Sequence, residues 1–190
     1  MTGGNISIID EHILNHNKLV YIGLEYHGLD SSTIISELPA STQDYVSRSN
    51  FYRTIIHELV HIQQQTHGHK IAKAYYGDNL SATILREGIP DFIGKLVCPY
   101  GNNGNNYYYG IQHEEVLRAK LKREIYGSDF TYWIYNTNTV STQPRDLGYF
   151  MGSRIAESYF KQLSATTINV TELIEIKSAK KFIKKSNYFD

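Results

Sequence analysis

Cysteine is nearly absent from this chain: 190 residues contain one, Cys98. An internal disulfide is therefore excluded, and with neither histidine nor cysteine beside it Cys98 reads as a packed residue, not a zinc ligand. An excess of charge of either sign is also missing. Lys plus Arg and Asp plus Glu number 19 each, so no net field draws nucleic acid or an anionic membrane, and no nucleic-acid partner is expected. No apolar run approaches the length of a membrane-spanning helix, and the start Met1-Thr2-Gly3-Gly4 lacks a basic and apolar signal region. The sequence thus reads as soluble, with an export segment removed beforehand as the other possibility. Prolines number only four, which makes each a marker. What is present is a 41% hydrophobic content, enough at this length to bury one core, so residues 1–190 are expected to form a single domain without internal repeats.

Against that plain background one run stands out, His57-Glu58-Leu59-Val60-His61. Histidines four apart lie one above the other on a helix face, so their ring nitrogens can converge on one metal, while the glutamate beside the first lies where a carboxylate can take a proton from water. With 8 histidines in the chain, the pattern arises by accident only ~0.02 times per sequence of this length. Projected at helical spacing, Phe51, Tyr52, Ile55, Ile56, Leu59, Val60 and Ile62 fill about half of the circumference, which predicts a deeply packed face. His57, Glu58 and His61 fall in the remaining arc and are expected to line a surface or cleft. Asn50 is placed to cap this helix.

A catalytic zinc takes three protein ligands and keeps a fourth position open, and there are two candidates for the third. His67 has the spacing of the metzincin pattern, but the glycine that pattern needs is Gln64 here. If the helix continues through Gln64, His67 lies roughly 9 Å beyond His61 and far round the cylinder, out of reach. The other candidate is Glu87, 26 positions after His61 in Leu85-Arg86-Glu87-Gly88-Ile89-Pro90-Asp91-Phe92, a distance that allows a connection and a return helix. Asp91, four positions later, shares its face and can accept the outward N–H of a ligand histidine, fixing the ring's tautomer.

His57-Glu58-Leu59-Val60-His61 followed by Glu87-Gly88-x-x-Asp91-Phe92 resembles the gluzincin arrangement. More narrowly, the chain resembles small bacterial predicted zinc-dependent proteases related to a gliding-motility lipoprotein family. Val20-Tyr21-Ile22-Gly23-Leu24, Gly148-Tyr149-Phe150-Met151-Gly152 and Ser186-Asn187-Tyr188 fit the same resemblance. One departure is Pro90, where a small helix former would be expected; inside a helix it removes a hydrogen bond and crowds the Arg86 carbonyl, so the helix is expected to kink or to begin close to Glu87. The resemblance implies an α+β fold of zincin type, a small sheet packed on helices with the zinc-binding helix at the cleft. Lys18 to Tyr26 is apolar and aromatic enough for a strand, and the resemblance implies that it borders the cleft and pairs with extended substrate; the alternative is an ordinary buried strand.

The rest of the chain reads as connections and support. Gly28 to Asn50 is a long loop by composition, and Cys98 to Gly110, rich in Asn and Gly, is a turn-rich connection whose tyrosines offer a lid as the second reading. His113 to Tyr126 is an amphipathic helix with Val116, Leu117, Leu121 and Ile125 as its packing stripe. Pro144 to Leu163 is a last long helix, Pro144 in its first turn, with Gly148 and Gly152 forming a strip that a neighbour can approach closely. Thr171 to Lys185 reads as two short helices. Hydrolysis at a carbonyl needs a donor for the oxyanion; Tyr149, beside the glycine strip, is the first choice, with Arg145 and Arg154 behind it.

Together these readings give an expectation of a zinc metallopeptidase acting on a peptide or protein substrate. Zn2+ is held by His57, His61 and Glu87, Asp91 steadies a histidine, Glu58 is the general base and Tyr149 the oxyanion donor. The alternatives are a non-catalytic binding module that keeps zinc as structure, and a zinc amidase acting on small or cell-wall amides.

Overall fold

The computed structural model describes residues 6–9, 19–22, 34–38, 43, 50–66, 77, 79–100, 104–136, 143–163 and 170–190. Its centre is the helix Leu80–Val97. The first fourteen residues of that helix are apolar or small on almost every side, the pattern of a helix surrounded by others, and Leu80, Ile84, Leu85 and Ile89 are fully buried in it. Asn79 starts the helix by accepting the Ala82 N–H at 3.0 Å. Numbered in chain order, the elements are strands β1 (Ile6–Ile9) and β2 (Leu19–Ile22), then helices α1 (Phe51–Thr66), α2 (Leu80–Val97), α3 (Asn105–Glu124), α4 (Leu147–Phe160), α5 (Val170–Ile174) and α6 (Ala179–Ser186).

The expected α+β architecture is overturned: the fold is helical. The only strands among the described residues are two four-residue strands that pair with each other, antiparallel, Ile6 opposite Ile22 and Ile9 opposite Leu19. A pair that short cannot support a packed layer. The described core is instead drawn from the helices and the loops joining them, around Leu80, Ile84, Leu121, Trp133, Phe150 and Met151. Of the strand expected over Lys18 to Tyr26, only Leu19–Ile22 is described, and its expected place at a cleft edge falls outside the described residues. So does most of Gly28 to Asn50; within it Leu38 closes a turn on the Ile35 carbonyl at 3.0 Å.

What holds α2 in place is its crossing with α4. A Cβ on Gly88 would collide with the backbone of Gly152, and one on Gly152 would collide with the Ile84 carbonyl and sit 2.9 Å from the Gly88 Cα. Two glycines thus bring the helices into backbone contact, a closeness that no side chain permits. The strip expected from Gly148 and Gly152 is there, with Gly148 donating its N–H to the Trp133 carbonyl at 2.6 Å; its partner Gly88 was not foreseen. Pro90 lies inside α2, which runs unbroken from Leu80 to Val97, so the helix does not begin near Glu87.

Two other boundaries differ from expectation. Asn105 to Gly110 is helical, not loop, because Tyr107 packs edge-on against Phe150 at 5.0 Å and Gly110 lies against the same ring; packing outweighs the mediocre helix propensity of Asn and Tyr. The helix bends at His113 (φ −121°, ψ 15°). Val116 is exposed, leaving Leu117, Leu121 and Ile125 as the packing stripe. Finally, α4 starts at Leu147, after Pro144, since Asp146 takes a left-handed conformation (φ 60°), its carboxylate accepting the Tyr135 N–H at 2.8 Å and its own N–H reaching Asn136 Oδ1 at 2.9 Å. The two short helices near the end, α5 and α6, lie where Thr171 to Lys185 was expected to form them.

Candidate metal centre

The centre is built where α1 and α2 pass each other in opposite directions. At the start of α1, Asn50 Oδ1 accepts the Arg53 N–H at 3.1 Å, the expected cap. Arg53 then reaches the far end of α2, donating to the Cys98 carbonyl at 2.8 Å and the Pro99 carbonyl at 2.9 Å. With the two ends tied, the next turns of α1 are brought alongside the preceding turns of α2: His57 meets Asp91, and His61 meets Glu87. The buried side of α1 therefore carries polar residues together with Val60 and Ile56. His61 and Gln64 are buried beside Val60 while Leu59 is 49% and Tyr52 69% exposed, so only part of the expected apolar face packs; the carboxylates of α2 provide partners that make burial of the histidine side possible.

His57 Nε2 and His61 Nε2 are 2.9 Å apart, and Glu87 Oε2 is 3.5 Å from the first and 3.3 Å from the second. Bonds of about 2.0–2.1 Å to a tetrahedral ion imply ligand separations of roughly 3.3 Å, so the triangle is of the right size. His57, His61 and Glu87 can hold a metal ion. The hydrogen bonds behind them say which atoms are offered. His57 Nδ1 faces Asp91 Oδ1 at 3.0 Å, and a carboxylate only accepts, so Nδ1 is the donor and Nε2 is the atom turned to the cluster, where a metal would replace any proton on it. His61 Nδ1 faces Gln64 Oε1 at 2.9 Å and is arranged alike. Asp91 therefore stands where it was expected, and Pro90 does not disturb it.

Three such atoms turned to one spot repel unless a positive charge, a proton or a cation, sits among them. Burial works against the imidazolium of His57, but the Asp91 and Glu87 carboxylates outweigh it and hold its pKa up at about 10. Glu87 is pushed up by burial and pulled further down by both histidines, ending well below the usual carboxylate range. Its other oxygen, Oε1, is occupied: the Tyr135 hydroxyl donates to it at 2.5 Å and Arg86 Nε at 3.1 Å, while Arg86 Nη2 donates to the Tyr135 oxygen at 2.7 Å. Only Oε2 is left to the histidines.

Glu58 lies beside the cluster, half-buried. Burial raises its pKa, and the neighbouring His57 and His61 oppose that rise. Tyr149 is brought to the site as well: its ring lies nearly parallel to that of His57, centroids 6.1 Å apart and planes at 19°, and burial keeps its hydroxyl protonated far above neutral pH. Arg145 and Arg154 are engaged elsewhere, Arg145 with Asp146 and Arg154 with Glu114 and Glu157. His67 falls outside the described residues, although α1 is helical through Gln64 to Thr66.

Sequence reasoning missed Gln64, Arg86 and Tyr135. Gln64 had a legible signal, three residues past His61 and thus on its face of the helix. Tyr135 had none: it sits in a loop at φ 55°, 58% exposed, and burial together with the Glu87 charge lifts its pKa to about 12. One turn beyond Asp91, Lys95 places Nζ over the Tyr107 ring, 2.7 Å from its centroid, without a hydrogen-bond partner. Burial pulls its pKa down to about 7, with Asp91 opposing. No protein-family model, no curated protein and no solved structure shows a match to the chain that carries this centre.

Proposed function

We propose that the chain is a zinc-dependent peptidase of gluzincin type, with His57, His61 and Glu87 as zinc ligands and a peptide or protein as substrate. The observation that carries this reading is the convergence of His57 Nε2, His61 Nε2 and Glu87 Oε2, each with its second heteroatom already committed to a hydrogen bond. Two neutral imidazoles and one carboxylate are a donor set that suits zinc and leaves a fourth position. When bound, zinc supplies a Lewis acid that polarises a carbonyl and acidifies water. Glu58 is free of the ligand set, and burial makes it a stronger base than an exposed glutamate. It takes a proton from the attacking water and returns it to the leaving amine. Tyr149, stacked on His57 and protonated at neutral pH, is the donor to a developing oxyanion; the Tyr135 hydroxyl is already given to Glu87.

Metal analysis and a peptide-library digest test the proposal together. One zinc per chain is expected, lost on His57→Ala or Glu87→Ala. Glu58→Gln should retain the zinc and the fold and lower kcat by about 10²- to 10⁴-fold. A zinc-loaded chain that cleaves only small amides would be an amidase. One that cleaves neither peptides nor amides, and whose partner binding survives Glu58→Gln, would be a binding module with structural zinc.

A further inference from the structure

The geometry points to Pro90 and Gln64 as a positioning pair that sets the tautomer of His61; this rests on the zinc reading for its purpose but not for its mechanism. In an unbroken α-helix the carbonyl of residue 86 accepts the N–H of residue 90. Residue 90 is proline and has no N–H to give. The Arg86 carbonyl accepts instead from Gln64 Nε2 at 3.2 Å, across the gap between α2 and α1. A carbonyl oxygen can only accept, so this contact fixes which end of the Gln64 amide is which: nitrogen toward Arg86, oxygen toward His61.

The consequence passes one atom further. With Oε1 facing it at 2.9 Å, His61 Nδ1 must carry the proton, and Nε2 is left with its lone pair toward His57 and Glu87. A helical N–H at residue 90 would compete with Gln64 for the Arg86 carbonyl and weaken the bond that holds the amide in this sense. With the amide turned over, its nitrogen would face Nδ1, the imidazole proton would move to Nε2, and the atom offered to a cation would be a donor. Gln64 is fully buried, 0% exposed, so water does not compete for either end of the amide. The proline that departs from the expected pattern thus supplies, by lacking a hydrogen, the neutral counterpart of what Asp91 does for His57.

The test uses the full chain with 15N-labelled histidine, metal-free and zinc-loaded. Long-range 1H–15N spectra of the metal-free protein should show His61 protonated at Nδ1. Gln64→Met keeps the side-chain length and removes both bonds; the His61 signals should move toward a tautomer mixture, and zinc affinity measured against a chelator should fall about 10- to 100-fold, as for other outer partners of ligand histidines. Pro90→Ala restores an N–H to the Arg86 carbonyl and is the milder variant, expected to shift the tautomer and weaken zinc in the same direction by less. A folded Gln64→Met chain with the original His61 spectrum and original zinc affinity overturns the inference. If Gln64→Met does not fold, Pro90→Ala decides, and an unaltered His61 spectrum there overturns it. An unaltered chain that binds no zinc removes the zinc reading alone, because the metal-free spectra still report whether Gln64 and Pro90 set the tautomer.

Discussion

Helix α2 turns two unlike sides to its neighbours. Toward α4 it offers Gly88 and the Ile84 carbonyl, and the two backbones touch with no polar side chain between them. Toward α1 it offers Glu87, Asp91 and the carbonyls of Arg86 and Cys98, each bonded to a named atom of α1. Moved by even one methyl group, the first side would clash. The second tolerates changes of shape but not of charge or hydrogen-bonding sense. Polar geometry on one side of α2 is kept by apolar geometry on the other, because a helix pinned at Gly88 carries Glu87 and Asp91 with it.

Gly88→Ala is the strongest way to break this division. The added Cβ meets the Gly152 backbone, which cannot rotate away, so a loss of about 3 kcal/mol in unfolding free energy is expected, with zinc binding weakened although no ligand is altered. Unchanged denaturant midpoints would mean that α4 yields and that the apolar side is not the rigid one. Asp91→Ala acts on the other side. Zinc affinity should fall about 10- to 100-fold, while the midpoint of the metal-free chain moves less than in Gly88→Ala; titration against a chelator and unfolding curves on the same samples separate the two. A larger stability loss for Asp91→Ala would reverse the assignment of the two sides.

The smallest effect is a gain. Burial pushes the Lys95 amine from its ordinary 10.5 down to about 7, so between these values it is held neutral where the unfolded chain would be charged. That mismatch costs nothing above pH 10.5, grows as pH falls toward 7, and is constant below. Lys95→Met should therefore raise Tm, more at pH 7 than at pH 10. An equal shift at both pH values would mean that Lys95 is charged in the folded state, stabilised by the Tyr107 ring beneath it.

The parts of the centre legible in the sequence were those that depend on one helix's periodicity. His57, Glu58 and His61 are linked by spacing alone, and Glu87 and Asp91 are linked to each other in the same way. Contacts that depend on how two helices dock were not legible: Gln64 on Arg86, or Tyr135 on Glu87, joins residues 22 and 48 positions apart. The α+β expectation failed for a different reason. Lys18 to Tyr26 does contain a strand, but one whose partner is another four-residue strand, and the sheet that the resemblance implied is replaced by a core drawn from the helices, α2 and α4 among them. On α1, Val60 and Ile56 pack as the apolar pattern predicts, whereas Tyr52 and Leu59 do not, because the carboxylates of α2 draw the histidine side inward.

The Arg53 clasp on the Cys98 and Pro99 carbonyls, described above as a tie between helix ends, also works as a proofreading device. Residues 53, 57, 61 and 64 of α1 match 98, 91, 87 and 86 of α2 in reverse order. A slip of one turn, about 5.4 Å, would break all four matches at once. A cation that needs His57, His61 and Glu87 together then binds only a chain docked in the correct register, so metal uptake would certify the assembly of these two helices as well as complete the centre.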